Sequence, residues 1–220
     1  MKYISQSEYW NNSDIVKEFT AYEAPLYWQQ ALLDDYMPGK KVLDIGCGGG
    51  RNSLNAFEKG YEVFACDAHE SMVETTKRKL LAAGMNPGLV KTRVLSSVFS
   101  KLCYDSDSFD IVISSGVLHN CDNAEEFEQG LQEISRVLKP GGHLYLNVFI
   151  RGNEINNLVS TDQDCLFLNS YGLPVWLFSR SELMERIACA RMQSVGDVHY
   201  YVSHINEGQR TVMRGVFVLR

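Results

Sequence analysis

The sequence predicts a doubly wound α/β domain, a mostly parallel sheet flanked by helices and finished by an antiparallel strand pair at its C-terminal edge. Three observations predict it. From residue 41 to residue 150, short apolar runs alternate with helix-length amphipathic stretches, the order that gives parallel strands joined by right-handed helical crossovers. The first run, Val42-Leu43-Asp44-Ile45, drops into a turn carrying Gly46, Gly48 and Gly50. The tail then changes character, with one helix followed by two β-rich runs at 195–205 and 210–219.

Taken in order, residues 13–36 have helical spacing, with Ile15, Val16, Phe19, Tyr22, Leu26, Ala31 and Leu32-Leu33 available to one stripe. Pro25 breaks or kinks that helix, and Met37-Pro38-Gly39 punctuates the chain. Strand 41–45, helix 52–59, Gly60, strand 61–66, helix 70–83 and strand 89–95 follow. Strand 109–114, helix 124–138, the turn Lys139-Pro140-Gly141-Gly142 and strand 143–150 complete the alternating series. A helix at 180–190 leads into the strand pair. No repeat or low-complexity tract occurs, and no linker divides the 220 residues, a length that suits one α/β domain.

The net charge is −6, which argues against loose binding to nucleic acid or anionic membrane. The basic cluster Lys77-Arg78-Lys79 falls late in a predicted helix, where cations complement the helix dipole. Six cysteines (Cys47, Cys66, Cys103, Cys121, Cys165 and Cys189) occur singly, without a C-x-x-C pair or a metal-type spacing, so no metal is expected. They read as reduced, mostly buried residues of a cytoplasmic protein. The N-terminus has no apolar core of a signal peptide, and the longest apolar stretches are strand-sized, so no membrane span is expected.

The glycine turn carries the chemistry. Glycine has no Cβ, so a strand running into such a turn brings bare backbone against a ligand. A phosphate loop wants amide donors, a helix N-terminus and often a lysine; a carboxylate beside the turn, here Asp44, suits a cationic or hydroxyl-bearing ligand. Asp67 ends the second strand, 21 residues after Gly46. An acid at that distance can accept from both ribose hydroxyls of a nucleoside lying over the turn. The dinucleotide fingerprint G-x-G-x-x-G fits poorly, because its third glycine would fall on Arg51.

Asp44-Ile45-Gly46-Cys47-Gly48-Gly49-Gly50 resembles the first motif of the class I S-adenosylmethionine-dependent methyltransferases, D/E-x-G-x-G-x-G. Leu102-Cys-Tyr-Asp-Ser-Asp-Ser-Phe-Asp110 and Lys139-Pro-Gly-Gly142 are similar to that family's runs before its fourth and fifth strands. The resemblance implies a Rossmann-like, seven-stranded sheet whose last strand inserts antiparallel. It covers residues 38–150 as the cofactor-binding core, leaving 1–37 as an N-terminal helical lid, 151–179 as a variable substrate segment and 180–220 as a C-terminal helix and strand pair.

The resemblance also implies S-adenosyl-L-methionine as cofactor, held by Asp44, Gly46, Cys47, Gly48, Gly50 and Asn52 around the turn. Asp67 and Ala68 at the second strand, Met72 against adenine, Ser97 and Val98 in place of the usual acid and small residue, and Ser115 after the fourth strand complete that set. Ser97 is a departure, since a neutral hydroxyl accepts from the adenine amine less strongly than a carboxylate. His119 falls where small-molecule members carry a histidine, and is read either as a general base or as a loop-ordering residue. The aromatic segments containing Trp10 and Tyr27, and Tyr171 and Trp176, form either an acceptor-binding lid or core packing.

The expected function is therefore SN2 methyl transfer to O, N or S of a small-molecule acceptor, in a monomer or homodimer. Attack on an activated methyl demands alignment more than acid–base chemistry, so no triad is required. A tRNA or protein methyltransferase, a non-catalytic binding module and a nicotinamide-dependent enzyme stand as alternatives.

Overall fold

The computed structural model describes residues 4–34, 39–152, 157–205 and 208–220. Strands β1 (Lys41–Ile45), β2 (Glu62–Asp67), β3 (Val94–Ser96), β4 (Phe109–Ser115) and β5 (Leu138–Phe149) run parallel. The C-terminal hairpin, β9 (Met192–Ile205) and β10 (Gly208–Leu219), completes a seven-stranded sheet of order β3-β2-β1-β4-β5-β10-β9. β10 slots between β5 and β9, antiparallel to both. From β1 the chain winds to β2 and β3 on one side, then returns to β4 on the other, so the topological switch lies between the carboxyl ends of β1 and β4. Ligands of doubly wound sheets gather there.

β1 is buried on both faces, as a central parallel strand must be. On one face, Val42, Val63, Ile111, Ile113 and Tyr145 pack against α3 (Leu26–Asp34) and α4 (Arg51–Glu58), with Trp28 stacked on Tyr145 at 5.5 Å. On the other, α7 (Ala124–Val137) and α8 (Arg180–Cys189) close a larger core. α7 buries Phe127, Gly130, Leu131, Ile134 and Val137, the three-and-four spacing of an amphipathic helix. Asn123 caps its start, and Ser179 forms a capping box with Glu182 at α8.

The expected 13–36 helix is two helices, α2 (Ser13–Ala21) and α3, separated at Pro25 as anticipated; its expected end and Met37-Pro38 lie outside the described residues. A short α1 (Gln6–Trp10) precedes them. α5 (Glu70–Ala82) is where its periodicity puts it. The expected strand 89–95 is instead α6 (Pro87–Arg93), and only Val94–Ser96 pair with β2. Asn86 accepts from the amides of Gly88 and Leu89, and Pro87 pre-sets the first helical turn; that cap outweighs the β-branched character of the run. β5 begins at Leu138 rather than 143, because Lys139-Pro140-Gly141-Gly142 is absorbed into an irregular start where the pairing with β4 shifts register. Segment 151–179 holds a small antiparallel sheet of β6 (Val159–Ser160), β7 (Leu166–Leu168) and β8 (Pro174–Trp176).

Candidate active site

β1 ends on Ile45 and the chain turns through Gly46 and Gly48 with φ of +61° and +52°, values that side chains rarely allow. At Gly46 a Cβ would also lie 2.4 Å from Val117 Cγ2. Gly50, at φ +76°, is the N-cap of α4, and its Cβ would meet Thr76 Oγ1 at 2.9 Å. The Thr76 hydroxyl donates to the Gly48 carbonyl at 2.9 Å and pins the turn to α5.

Asp67 fixes the turn from β2. One carboxylate oxygen accepts the Gly48 amide at 3.0 Å and the other accepts the His69 amide at 2.9 Å. A carboxylate has about four acceptor sites, so two stay available to a ligand. Burial pushes the Asp67 carboxyl above the usual carboxylate range, opposed by those amides. Asp44 lies behind the turn. It is buried, its carboxylate accepts the Ser53 hydroxyl at 2.6 Å, and burial raises its pKa to about 6. Arg51 stands nearby with its guanidinium carbon 5.7 Å from the Tyr22 ring.

These elements enclose a cavity of about 340 Å³ at the switch point. Of the residues expected around a cofactor, Gly46, Cys47, Gly48, Asn52, Asp67, Ala68, Met72, Ser97, Val98 and Ser115 line it. Asp44 and Gly50 do not; they hold the turn from behind. Two wall residues, Asn52 and Ser115, carry buried oxygens that have no hydrogen-bond partner, a deficit of the kind a polar ligand makes good.

The wall also includes residues the sequence reading did not single out for the site. Gln6, Ser7 and Phe19 from α1 and α2 join Trp10 there, and Phe99, Asn120, Asp122 and Glu126 close the far end. Phe19 carried a signal, since it belongs to the apolar stripe read in 13–36. Gln6 and Ser7 carried none.

The N-terminal helices sit tightly on the turn. A Cβ on Gly49 would approach the Phe19 carbonyl oxygen to 2.1 Å. The Lys79 ammonium donates to the Thr20 carbonyl at 2.9 Å and the Ser71 hydroxyl to Asn11 Oδ1 at 2.8 Å, tying α2 and the preceding loop to α5. The two aromatic segments meet where Tyr9 lies 5.6 Å from Tyr171 and Gln6 donates to the Pro174 carbonyl at 3.0 Å.

The acceptor residues scatter. Trp10 reaches the cavity, Tyr171 is exposed outside it, and Trp176 is buried in the core under α8. Tyr27 packs on Trp28 and lies beside the C-terminal hairpin. His119 does not line the cavity. It is buried, stacks on Phe149 at 4.2 Å, and accepts the Phe149 amide on Nδ1 at 3.2 Å. Burial, reinforced by Arg210, lowers its pKa to about 3. Its geometry is that of a neutral residue ordering the loop. The one group of potential metal ligands among the described residues, Asp164, Cys165 and Glu182, already surrounds the Arg151 guanidinium, which lies 3.1 Å from each carboxylate.

Residues 43–146 match the family model described as a methyltransferase domain. The matched stretch runs from β1 into β5 and takes in the glycine turn and Asp67. A demethylmenaquinone methyltransferase of Clavibacter sepedonicus is 34% identical over 111 residues, 50% of this chain and 42% of that protein. A tRNA U34 carboxymethyltransferase of Idiomarina loihiensis is 26% identical over 87% of this chain and 58% of its own length. The chain spans about half the length of the curated relatives it matches.

Among solved structures, a Methanosarcina mazei S-adenosylmethionine-dependent methyltransferase superposes with a TM-score of 0.71 at 20% identity, over 90% of this chain and 99% of that one. A Burkholderia thailandensis 1,6-didemethyltoxoflavin-N1-methyltransferase with bound S-adenosylhomocysteine gives 0.69 at 21% identity, over 100% and 93%. At those identities the likeness establishes the methyltransferase fold.

Proposed function

We propose that this chain binds S-adenosylmethionine in the switch-point cavity and transfers its methyl group to O, N or S of a small-molecule acceptor. The observation that carries the reading is that one cavity gathers the glycine turn, Asp67, Met72 and Ser97-Val98 with two unpartnered buried oxygens. The bound cofactor supplies an activated methyl on a sulfonium, so the chain's own task is alignment and water exclusion.

Asp67 takes the ribose hydroxyls on its two open acceptor sites. Met72 and Val98 sandwich the base, and Ser97 offers its hydroxyl to the ring edge. Asn52 and Ser115 satisfy their oxygens on the amino-acid part of the ligand. α1 and α2 act as a lid, with Trp10 and Phe19 as its apolar lining.

The small-molecule reading rests on the acidic net charge and the enclosed cavity, which give a polynucleotide no basic track. The tRNA-modifying relative, matched along most of this chain, keeps the alternative in view. No helix among the described residues is long and apolar enough to cross a membrane; a cytoplasmic location is part of the proposal. Incubation with methyl-labelled cofactor and a panel of candidate acceptors, read by intact mass, tests the function. A labelled small molecule is the expected product; label found only on tRNA or protein would overturn the assignment.

A further inference from the structure

Beyond the cavity, the sheet carries a row of polar side chains the proposed reaction has not yet used. Register places Ser115 of β4 opposite Asn147 of β5, Asn147 opposite Arg214 of β10, and Arg214 opposite His199 of β9. Residues in register share a sheet face, so these four form one lane at the carboxyl ends of the parallel strands. It begins at Ser115 in the cavity wall.

Arg214 is the unusual member. Its guanidinium carbon lies 4.2 Å from the Tyr27 ring centroid and 4.8 Å from that of Tyr201, and the Tyr201 hydroxyl donates to Asn147 Oδ1 at 3.4 Å. Its Nε is fully enclosed with no hydrogen-bond partner. Arg93, Arg136, Arg151 and Arg186, likewise half-buried, each hold a carboxylate. Arg214 holds none among the described residues. A guanidinium drawn partly out of water with its fork open is a site for a planar anion, and the flanking phenol rings suit an aromatic body.

We infer that this lane is the acceptor subsite, with Arg214 as its anion anchor, and that the acceptor is a small aromatic carboxylate. The inference rests on the cofactor reading for the position of the methyl group beside Ser115. Two strand spacings separate Ser115 from Arg214, about 10 Å, a span that a single ring bearing a nucleophile at one end and a carboxylate at the other can bridge once the arginine reaches toward it.

The test compares 4-hydroxybenzoate and caffeate with their methyl esters by calorimetry, on the full chain with and without S-adenosylhomocysteine. The expected result is at least about tenfold tighter binding of each acid than of its ester, the worth of one charge-assisted pair. Arg214→Gln should erase that preference, and Arg214→Lys should keep part of it, both with S-adenosylhomocysteine affinity unchanged. Equal binding of acids and esters by the natural chain, or no binding of either, overturns the inference without recourse to a variant. Retention of the preference in folded Arg214→Gln overturns it as well. Failure to bind S-adenosylhomocysteine would sink the cofactor reading separately, because the acid–ester comparison is also made without it.

Discussion

Replacing Asp67 by asparagine separates the two tasks assigned to its carboxylate. The side chain is 7% exposed and accepts two amides, from Gly48 at 3.0 Å and His69 at 2.9 Å. Asparagine keeps the shape and one acceptor oxygen, but its amino group must face one of those N–H donors. One charge-assisted bond is lost and a buried donor is orphaned, at a cost of about 1.5–3 kcal/mol. For a chain of this size that lowers the melting temperature by about 3–12 °C. The ribose contact loses its charge too, and a second loss of similar size weakens S-adenosylhomocysteine by about 10–150-fold. Differential scanning calorimetry and isothermal titration on the same preparation read both effects. A destabilised variant whose affinity stays within twofold of the natural chain would show that Asp67 only shapes the turn. An unchanged melting temperature would refute the two-amide account.

Three further perturbations probe other parts of the site. Gly49→Ala drives a methyl into the Phe19 carbonyl and should unseat α2, which has no fully buried residue; faster tryptic cleavage at Lys17 and several-fold weaker S-adenosylhomocysteine binding are expected with little change in global stability, and an unaltered cleavage rate would contradict the docking. Asp44 has a folded pKa of about 6, above its ordinary 3.8, so the native state holds the extra proton and its contribution is full below pH 4 and lost as pH rises through 6. Urea unfolding should therefore show Asp44→Asn gaining on the natural chain by up to about 1.4 kcal/mol per pH unit within that window, whereas parallel profiles would contradict the raised pKa. His119→Ala should cost about 1–3 kcal/mol, because the Phe149 amide loses its acceptor, while S-adenosylhomocysteine affinity holds; a variant of natural stability would remove the structural role.

Much of the fold was legible because local and global signals agree along the core. Val42 to Gly50 is an apolar run that must be a strand followed by a turn only glycine tolerates, and Asp67 lies at the distance the crossover imposes. α6 was misread because Leu89-Val90 favours a strand, and the Asn86-Pro87 cap that decides the matter is two residues of evidence against seven. The small sheet of 159–176 has strands of two or three residues, too short for any periodicity.

The site was half legible for a similar reason. Residues on the strand ends follow from topology, but the roof depends on how α1 and α2 dock. Nothing in Gln6 or Ser7 announces that. For His119 the loop was legible but the neighbour was not: the Phe149 ring stacked on it is set by how β5 runs past that loop. Arg214 was invisible because its meaning comes from register across three strands and from its having no carboxylate partner among the described residues.

A bend after β1 built for an adenosyl sulfonium and not for a dinucleotide should discriminate between those two ligands. Equilibrium titration of the full chain with S-adenosylhomocysteine and, separately, with NAD addresses it directly. One saturable site of micromolar affinity is expected for the first ligand, and no measurable heat from the second. Saturation by NAD, or no response to S-adenosylhomocysteine at millimolar concentration, would contradict that expectation.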